Sequence, residues 1–167
     1  MIRVQTLTSP LGDLTLAEED GCIIGLWLEG QKHFPDLSNA IVEPSPVLLQ
    51  AEQWLKRYFD GQRPQLRELP LNPQGSPFRQ QVWQLLCRIP YGQTTSYAAL
   101  ADELAKSRGM PKMSAQAVGN AVGHNPISIL IPCHRVVGSQ GQLTGYAGGL
   151  DRKQWLLDWE QETQTSK

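Results

Sequence analysis

The first part of the chain consists of short apolar runs separated by turn residues, a pattern that predicts β-strands. Residues 3–8 and 14–16 alternate apolar and polar side chains, and residues 22–28 form a third apolar run. Asp20 and Gly21 lie between the second and third runs, and this pair is a strong hairpin signal because both residues accept positive φ. We therefore predict a three-stranded antiparallel meander, followed by a loop at 29–44 with at most a short helical piece.

Beyond this region, apolar residues recur every three or four positions, which predicts helices. A capping serine precedes a proline at 45–46 and again at 76–77, so two helices should begin there. Further helices are predicted from Thr95 or Ser96 to 104, from Ser114 to 123, and from Asp151 to about 160, with a frayed tail at 161–167. Residues 61–75 are rich in Pro and Gln and are interpreted as a linker.

The pattern as a whole predicts an α+β fold with two lobes. Residues 1–75 form a lobe of strands and one helix in which we identify no chemistry and which we interpret as support. Residues 76–167 form a helical lobe that contains two short helices joined by a turn, the helix-turn-helix or winged-helix-like arrangement. In that arrangement the second helix faces DNA. Its candidate contact residues are Ser114, Ala115, Gln116, Ala117 and Gly119. This helix is rich in small side chains, which equally allow tight packing against another helix.

Charge is distributed unevenly along the chain, although the net charge is only −1. Residues 76–150 carry six basic and two acidic side chains, whereas residues 1–75 carry six basic and ten acidic ones. A basic half favours contact with phosphate, but an uneven solvated surface gives the same counts. No apolar run approaches the length of a membrane span, and the N-terminus lacks the order of a signal peptide. We expect a cytoplasmic protein without a membrane partner.

The three cysteines are Cys22, Cys87 and Cys133, an odd number at wide spacing, so we expect reduced thiols and no disulfide framework. The three histidines make no pattern of metal ligands, and we expect no metal and no cofactor. Cys22 and Cys87 are interpreted as structural, and Trp83 and Cys87 as parts of the core.

The strongest chemical signal lies at 125–149. An apolar run at 127–131 predicts a buried strand, which Pro132 ends. Cys133, His134 and Arg135 follow, and then a loop with five glycines, which let backbone approach a bound ligand. A thiol becomes a strong nucleophile when a base or a positive charge lowers its pKa, and this tripeptide supplies candidates for both.

The hexapeptide Ile-Pro-Cys-His-Arg-Val at 131–136, together with Gly-Tyr-Ala-Gly-Gly at 145–149, resembles the active site of the O6-alkylguanine-DNA alkyltransferases. These are the methylated-DNA–protein-cysteine methyltransferases, and the resemblance extends over about residues 76–160. It implies irreversible DNA repair, in which a methyl or other alkyl group moves from guanine O6, or thymine O4, to Cys133. It also implies one turnover per molecule, a target base flipped out of double-stranded DNA, and a monomer.

The same resemblance implies roles for further residues. His134 would take the thiol proton through a water molecule, oriented by Glu160; spacing alone leaves Asp158 and Glu162 as rivals for that carboxylate. Tyr97 would donate a proton at guanine N3. The remaining assignments are Asn125 as the tie between recognition helix and active-site strand, Arg135 as support, and Val136, Tyr146, Ala147 and Gly148 as the base pocket.

One position departs from the family. Its members usually carry an arginine in the recognition helix that fills the vacated stack, and this chain has Gln116 there. A glutamine can bond to the orphaned base but brings no charge, so we expect weaker DNA affinity than in a relative with arginine. Three other classes stay open from sequence: a lesion-binding relative without activity, a helix-turn-helix regulator, and a cysteine hydrolase or redox enzyme.

Overall fold

A computed structural model describes residues 1–164 and confirms the α+β class. Strands β1 (Arg3–Leu7), β2 (Leu14–Glu19) and β3 (Cys22–Leu28) form the predicted antiparallel meander. Asp20 and Gly21 join β2 to β3 with φ values of 53° and 80°. Two successive positive φ values match the right-handed twist of the paired strands, so this hairpin forms where the sequence predicted it.

A fourth strand lies within the segment that was predicted to be a loop. Strand β4 (Ile41–Val42) pairs parallel with β1, giving the order β3-β2-β1-β4. The remaining residues from 29 to 40 form turns and irregular chain. Alternation of apolar and polar residues could not reveal β4, because two residues contain no repeat.

Helix α1 (Pro46–Phe59) covers one face of the sheet. It begins as predicted, with the Ser45 hydroxyl accepting a hydrogen bond of 3.3 Å from the Leu48 amide. Its buried stripe and the sheet's leucines share one core with the C-terminal helices. The residues that α1 contributes to this core are Val47, Leu48, Ala51, Trp54, Leu55 and Tyr58. Each fully buried large apolar side chain contributes about 1.5–3 kcal/mol, so this face anchors the lobe.

The C-terminal lobe contains α2 (Pro77–Leu86), α3 (Tyr97–Ser107), α4 (Ala115–Gly123) and α5 (Leu150–Gln164). The first three begin at the predicted serine caps, each of which accepts from the amide three residues later. The cap of α3 is therefore the serine at 96 and not the threonine before it. That short segment is itself strand β5 (Thr95–Ser96).

Strand β5 pairs in parallel with β6 (Val136–Val137), which follows the reactive tripeptide. This pairing fixes the start of α3 beside the candidate nucleophile. The ends of other elements differ from prediction: α5 begins one residue before Asp151 and continues through Gln164. The predicted frayed tail is helical up to that residue, and positions 165–167 lie outside the described part of the chain.

The predicted buried strand at 127–131 is wrong. Ile127 makes one bridge to Leu26 of β3, and the chain then turns, with φ of 70° at Ile129. Asn125 closes this turn: its Oδ1 accepts from the Ile127 amide at 3.0 Å, and its Nδ2 donates to the Ile131 carbonyl at 2.9 Å. The apolar run is buried as predicted. Its conformation differs because one side-chain amide supplies hydrogen bonds that a neighbouring strand would otherwise supply.

Two further core assignments can be compared with the structure. Trp83 is buried, with 2% of its surface exposed, and its Nε1 donates to the Ala121 carbonyl. Cys87 is exposed at the C-terminal end of α2, so its assignment to the core was wrong. Within residues 1–164, no helix has the length and apolar character needed to cross a bilayer.

Candidate active site

A cavity of about 550 Å³ lies where the two lobes meet, and Cys133 lines it. Its walls come from the loop after β3, the start of α3, one face of α4, the turn that follows α4, and the glycine-rich loop. The lining residues are Lys32, His33, Tyr97, Ala115, Gln116, Gly119, Val122, Gly123, Asn125, Ser128, Cys133, Thr144, Gly145, Tyr146 and Ala147. The fold therefore brings three of the six predicted catalytic residues, Cys133, Asn125 and Tyr97, to the wall of one cavity.

Cys133 begins a single 3₁₀ turn, Cys133–Arg135, and does not end a strand as predicted. On an extended chain, neighbouring side chains point to opposite sides, which would separate the thiol from the imidazole. The tight turn removes that difficulty. Cys133 borders the cavity with 6% of its surface exposed, while His134 lies behind it, fully buried.

Glu160 on α5 is the carboxylate that meets this turn. Its Oε2 lies 2.7 Å from Nε2 of His134, and Arg135 donates to Oε1 from Nε at 2.7 Å and to Oε2 from Nη2 at 3.0 Å. The rival carboxylates Asp158 and Glu162 are exposed on the outer side of α5. The structure therefore brings together the carboxylate that the resemblance named and not its sequence neighbours.

The charges of the pair follow from its surroundings. Burial raises the pKa of Glu160, but His134 and Arg135 lower it by more than burial raises it. The pKa of Glu160 therefore lies well below its ordinary value. Burial lowers the pKa of His134 and outweighs the attraction of Glu160. We conclude that a carboxylate faces a neutral imidazole.

This charge state fixes the tautomer of the imidazole. A carboxylate only accepts, so Nε2 of His134 must carry the hydrogen, and the lone pair lies on Nδ1. Nδ1 is buried and has no hydrogen-bond partner among residues 1–164. His134 is therefore set up as a base with its free nitrogen on the side away from Glu160.

The thiol is not ionised by its surroundings alone. Burial raises the pKa of Cys133 above its ordinary value, while the Asn125 side chain and the charge of Lys153 lower it by smaller amounts. A thiol in this position needs a base to become a thiolate, and the free nitrogen of His134 supplies one.

Lys153 is a residue of the site that sequence analysis missed. It is fully buried on α5, and its Nζ donates to the carbonyls of Thr144 and Gly145 at 2.8 and 3.2 Å. Its ammonium also lies 5.9 Å from the centre of the Tyr97 ring. Burial lowers the pKa of Lys153 to about 8. A sequence signal existed, because positions 153, 156 and 160 share one helical face and place this lysine beside Glu160.

Tyr58 is the second residue that was missed, and it belongs to the lobe in which we identified no chemistry. Its hydroxyl donates to Oε2 of Glu160 at 2.6 Å, and 1% of its surface is exposed. Periodicity placed Tyr58 correctly in the apolar stripe of α1. That pattern reports the buried ring and gives no information about the partner of the hydroxyl.

The predicted base pocket is only partly assembled around the cavity. Of its four residues, Tyr146 and Ala147 line the cavity, together with the predicted proton donor Tyr97, whose hydroxyl accepts from Thr144 Oγ1 at 3.1 Å. Val136 and Gly148 do not line it: Val136 is buried in β6, and Gly148 lies against β3. A Cβ added to Gly148 would lie 2.4 Å from Leu28 Cδ1, so this position requires glycine for close packing.

Helix α4 turns its first residues outward. Ser114, Ala115, Gln116 and Ala117 are exposed and Gly119 is half-buried, whereas Val118, Ala121 and Val122 face the core. A Cβ added to Gly119 would meet Tyr97 at 3.5 Å, an ordinary contact, so tight packing does not demand glycine there. The exposed face of α4 continues directly into the cavity mouth. Among the described residues, no three His, Cys, Asp or Glu side chains form a group that could hold a metal ion.

Comparison with known proteins assigns both halves of the chain. The family model described as the DNA-binding domain of 6-O-methylguanine DNA methyltransferase matches residues 77–162, and the one described as its ribonuclease-like domain matches residues 2–73. The methylated-DNA–protein-cysteine methyltransferase of Mycolicibacterium paratuberculosis is 44% identical over 160 residues, covering 96% of this chain and 93% of that protein. The constitutive enzyme of that name from Bacillus subtilis is 42% identical and covers 93% of each.

Solved structures support the same family assignment. The crystal structure of the Mycobacterium tuberculosis O6-methylguanine methyltransferase superposes with a TM-score of 0.86 at 38% identity, covering 100% of this chain and 97% of that one. A structure of the M. tuberculosis protein in complex with DNA gives a TM-score of 0.85 at 38% identity, covering 97% and 93%. The chain belongs to the 6-O-methylguanine DNA methyltransferase family, the methylated-DNA–protein-cysteine methyltransferases.

Proposed function

We propose that this protein repairs double-stranded DNA by direct reversal, moving the alkyl group of O6-alkylguanine to the sulfur of its own Cys133. The observation that carries the proposal is the arrangement of three consecutive groups. Cys133 lies on the wall of the cavity, the neutral His134 follows it in the same turn, and Glu160 accepts from Nε2 of His134. A nucleophile, a base and an orienting carboxylate form the general pattern of a nucleophilic site.

In the first step the proton of the Cys133 thiol passes to Nδ1 of His134 through one water molecule. Glu160 accepts from Nε2 and stabilises the imidazolium that results. The thiolate then attacks the alkyl carbon in line: an S–C bond forms, and the bond from carbon to guanine O6 breaks with its electron pair on the base. The thioether that forms at Cys133 is stable to water at neutral pH, so each protein molecule reacts once.

The leaving guanine needs a proton, and we propose that Tyr97 gives one at N3. Tyr97 lines the cavity, and burial raises its pKa, so the hydroxyl is protonated before reaction. The Lys153 ammonium near its ring and the Thr144 hydroxyl stabilise the tyrosinate that forms. Asn125 and Arg135 have supporting roles: Asn125 holds the turn between α4 and Cys133, and Arg135 holds Glu160.

Chemistry at O6 requires the base outside the stack, which costs a few kcal/mol and less for a damaged base. The exposed residues of α4 lead into the cavity mouth, so this helix is the element that would meet the duplex and deliver the base. Gln116 lies at that mouth and would contact the orphaned partner base without adding charge. Tyr146 and Ala147 would enclose the flipped guanine, with Val136 and Gly148 supporting the walls from behind.

Mass spectrometry after incubation with duplex DNA containing O6-methylguanine tests this function. We expect the protein to gain the mass of one CH₂ group at Cys133, in proportion to lesion repaired, and to react once. Cys133→Ala should gain nothing, whereas Cys87→Ala, which removes an exposed thiol outside the cavity, should react like the original protein. Unmodified protein with intact lesion would contradict the proposal, and repeated turnover would favour a hydrolase.

A cytoplasmic location and a monomeric state belong to the same proposal. Cys22, Cys87 and Cys133 are all free thiols, and a nucleophilic thiol needs a reducing compartment to stay available. Cell fractionation would test the location, and light scattering of the purified protein would test the monomeric state.

A further inference from the structure

We infer that Tyr58, from the sheet lobe, is a positioning residue for alkyl transfer, because its hydroxyl holds the carboxylate that orients His134 and shares that carboxylate's charge. The inference rests on the transfer to Cys133 proposed above. Tyr58 does not line the cavity that Cys133 borders, and it acts through Glu160.

Three donors converge on a single oxygen of Glu160. Oε2 lies 2.6 Å from the Tyr58 hydroxyl, 2.7 Å from Nε2 of His134 and 3.0 Å from Nη2 of Arg135. Oε1 receives Arg135 Nε at 2.7 Å. A carboxylate bonded on both oxygens cannot turn without losing contacts, so the plane of the imidazole that it holds is fixed as well.

The Tyr58 hydroxyl is itself held firmly. The backbone carbonyl of Tyr58 accepts from Trp159 Nε1 at 3.0 Å, and its ring stacks on Trp54 with centroids 5.8 Å apart. Tyr91 meets the same ring edge-on at 6.0 Å. Burial raises the pKa of Tyr58 well above its ordinary value, and the charge of Glu160 raises it further, so the phenol is protonated and donates.

This donor changes the basicity of His134. A hydrogen bond to the charged form of a carboxylate draws charge from its oxygen and weakens its attraction for a neighbouring cation. The groups that face His134 are Glu160 and Lys153 from α5 and Arg135 from its own turn, and Tyr58 reaches it from α1 through Glu160. Without the Tyr58 hydroxyl, Glu160 would attract the imidazolium more strongly, and the pKa of His134 would rise.

A higher pKa would remove the base at acidic pH, because a larger fraction of His134 would already carry the proton. Transfer requires the neutral imidazole, so the rate falls as pH drops through the pKa of His134. Loss of the Tyr58 hydroxyl therefore moves the acidic limb of the rate profile to higher pH. A residue that only supported the fold would lower stability and leave that limb unchanged.

The test is the single-turnover rate of methyl transfer as a function of pH in the full chain, for the original protein, Tyr58→Phe and Tyr91→Phe. Tyr91→Phe is the matched control, because it removes another tyrosine hydroxyl that is bonded to α5, at Thr163, and keeps the ring that packs on Tyr58. For Tyr58→Phe we expect a rate about tenfold lower on the acidic side and an acidic limb at higher pH, since hydrogen bonds to charged groups are stronger than those between neutral groups. For Tyr91→Phe we expect an unshifted limb even where thermal stability falls.

Replacing Tyr58 with 3-fluorotyrosine gives a second reading that keeps the packing. Its hydroxyl is the stronger donor, so the acidic limb should move to lower pH, opposite to Tyr58→Phe. Limbs that coincide for all variants would overturn the inference, and if Tyr58→Phe fails to fold, an unshifted limb in the fluorotyrosine protein would do so. An original protein that transfers no methyl group would fail earlier in the experiment and would overturn the proposed function with it.

Discussion

Lys153 is a buried cation beside the candidate nucleophile, and its removal should slow alkyl transfer. Replacement by Met keeps the length of the side chain but leaves the Thr144 and Gly145 carbonyls without their donor. It also removes a charge that lowers the pKa of Cys133. We expect the rate to fall by about 10- to 100-fold, since charge-assisted hydrogen bonds of this kind are worth about 1.5–3 kcal/mol. Single-turnover kinetics and the pH dependence of alkylation by iodoacetamide would measure both effects.

Arg152→Met is the matched control for that experiment. Arg152 precedes Lys153 on α5 and also donates to backbone carbonyls, those of Leu11 and Gly148. The side chains that shift the pKa of Cys133 are Asn125 and Lys153 and not Arg152, so iodoacetamide should react with this variant at the same pH as with the original protein. Equal shifts in the two variants would show that the charge of Lys153 has no specific effect on the thiol.

Glu160 should make the stability of the protein depend on pH in a defined window. Its pKa in the folded protein lies below the ordinary value of 4.5, so its contribution is present above pH 4.5 and is lost as pH falls further. Glu160→Gln should therefore destabilise the protein by about 3 kcal/mol near neutral pH, the usual cost of breaking a buried pair. The difference between the two proteins should shrink below pH 4.5 in urea unfolding experiments.

Two comparisons separate the effect of Glu160 on stability from the effects of other titratable groups. His134 is buried in its neutral form with a pKa below 6.5, so stability should also decline below pH 6.5, and at least as steeply in Glu160→Gln, because that substitution removes a group that raises the pKa of His134. Glu162→Gln, at an exposed site on the same helix, should show no such pH-dependent difference. A gap between Glu160→Gln and the original protein that stays constant down to pH 3.5 would contradict a depressed pKa at Glu160.

At the scale of elements, local chemistry decided what the sequence could predict. Helix starts were predictable because a serine cap and a following proline act within four residues, as at Ser45 and Ser76. The turn at 127–131 was not predictable, because its apolar residues fit a buried strand equally well and the side chain of Asn125 decides between the two. Strand β4 depends on a partner about 38 residues earlier in the chain, which no local pattern contains.

Helix α4 should gain DNA affinity from Gln116→Arg. Gln116 is exposed at the cavity mouth, where an arginine would meet either the orphaned base or a nearby phosphate. We expect tighter binding to duplex DNA, a rate of repair at least as high, and a salt dependence steeper by about one unit in the log–log slope if the new charge reaches phosphate. Titration of a labelled duplex at several salt concentrations would measure the slope.

Gln53→Arg is the control for that change, since it adds the same charge at an exposed position of α1, in the opposite lobe. It should leave binding within about twofold, because charges beyond the Debye length are screened. If Gln116→Arg left binding and repair rate unchanged, the glutamine would not be the reason for weaker DNA affinity.

At the scale of the molecule, the site is shared between lobes in a way that the sequence did not indicate. The tripeptide at 133–135 and its carboxylate lie in one half, and a resemblance over that half was enough to name them. Tyr58 comes from the other half, 102 positions away from the Glu160 that it holds. Such a contact has no signature in spacing or periodicity, since it depends on how α1 and α5 pack.

The proposed division into lobes at 1–75 and 76–167 therefore marks a boundary in the chain and not two independent bodies. Cutting a protease site inserted between Gln74 and Gly75 should leave the pieces associated and active in methyl transfer. The Leu26 amide donates to the Pro126 carbonyl at 2.9 Å, and the Ser128 amide donates back at 3.1 Å, so β3 remains bonded to the turn before Cys133. Together with the hydrogen bonds of Tyr58, these contacts should keep the cut protein as one species in size-exclusion chromatography until urea is added.

The cut protein carrying both Tyr58→Phe and Trp159→Phe should separate at a lower urea concentration, because two of the bonds that join the pieces are gone. The same substitutions in the uncut chain should shift unfolding less, since the covalent link keeps the lobes at high effective concentration. Separation of the unsubstituted pieces in native buffer, with methyl transfer retained by the larger one, would instead show that residues 76–167 position Glu160 without help. In that outcome the Tyr58 hydroxyl could not be what sets the acidic limb of the reaction.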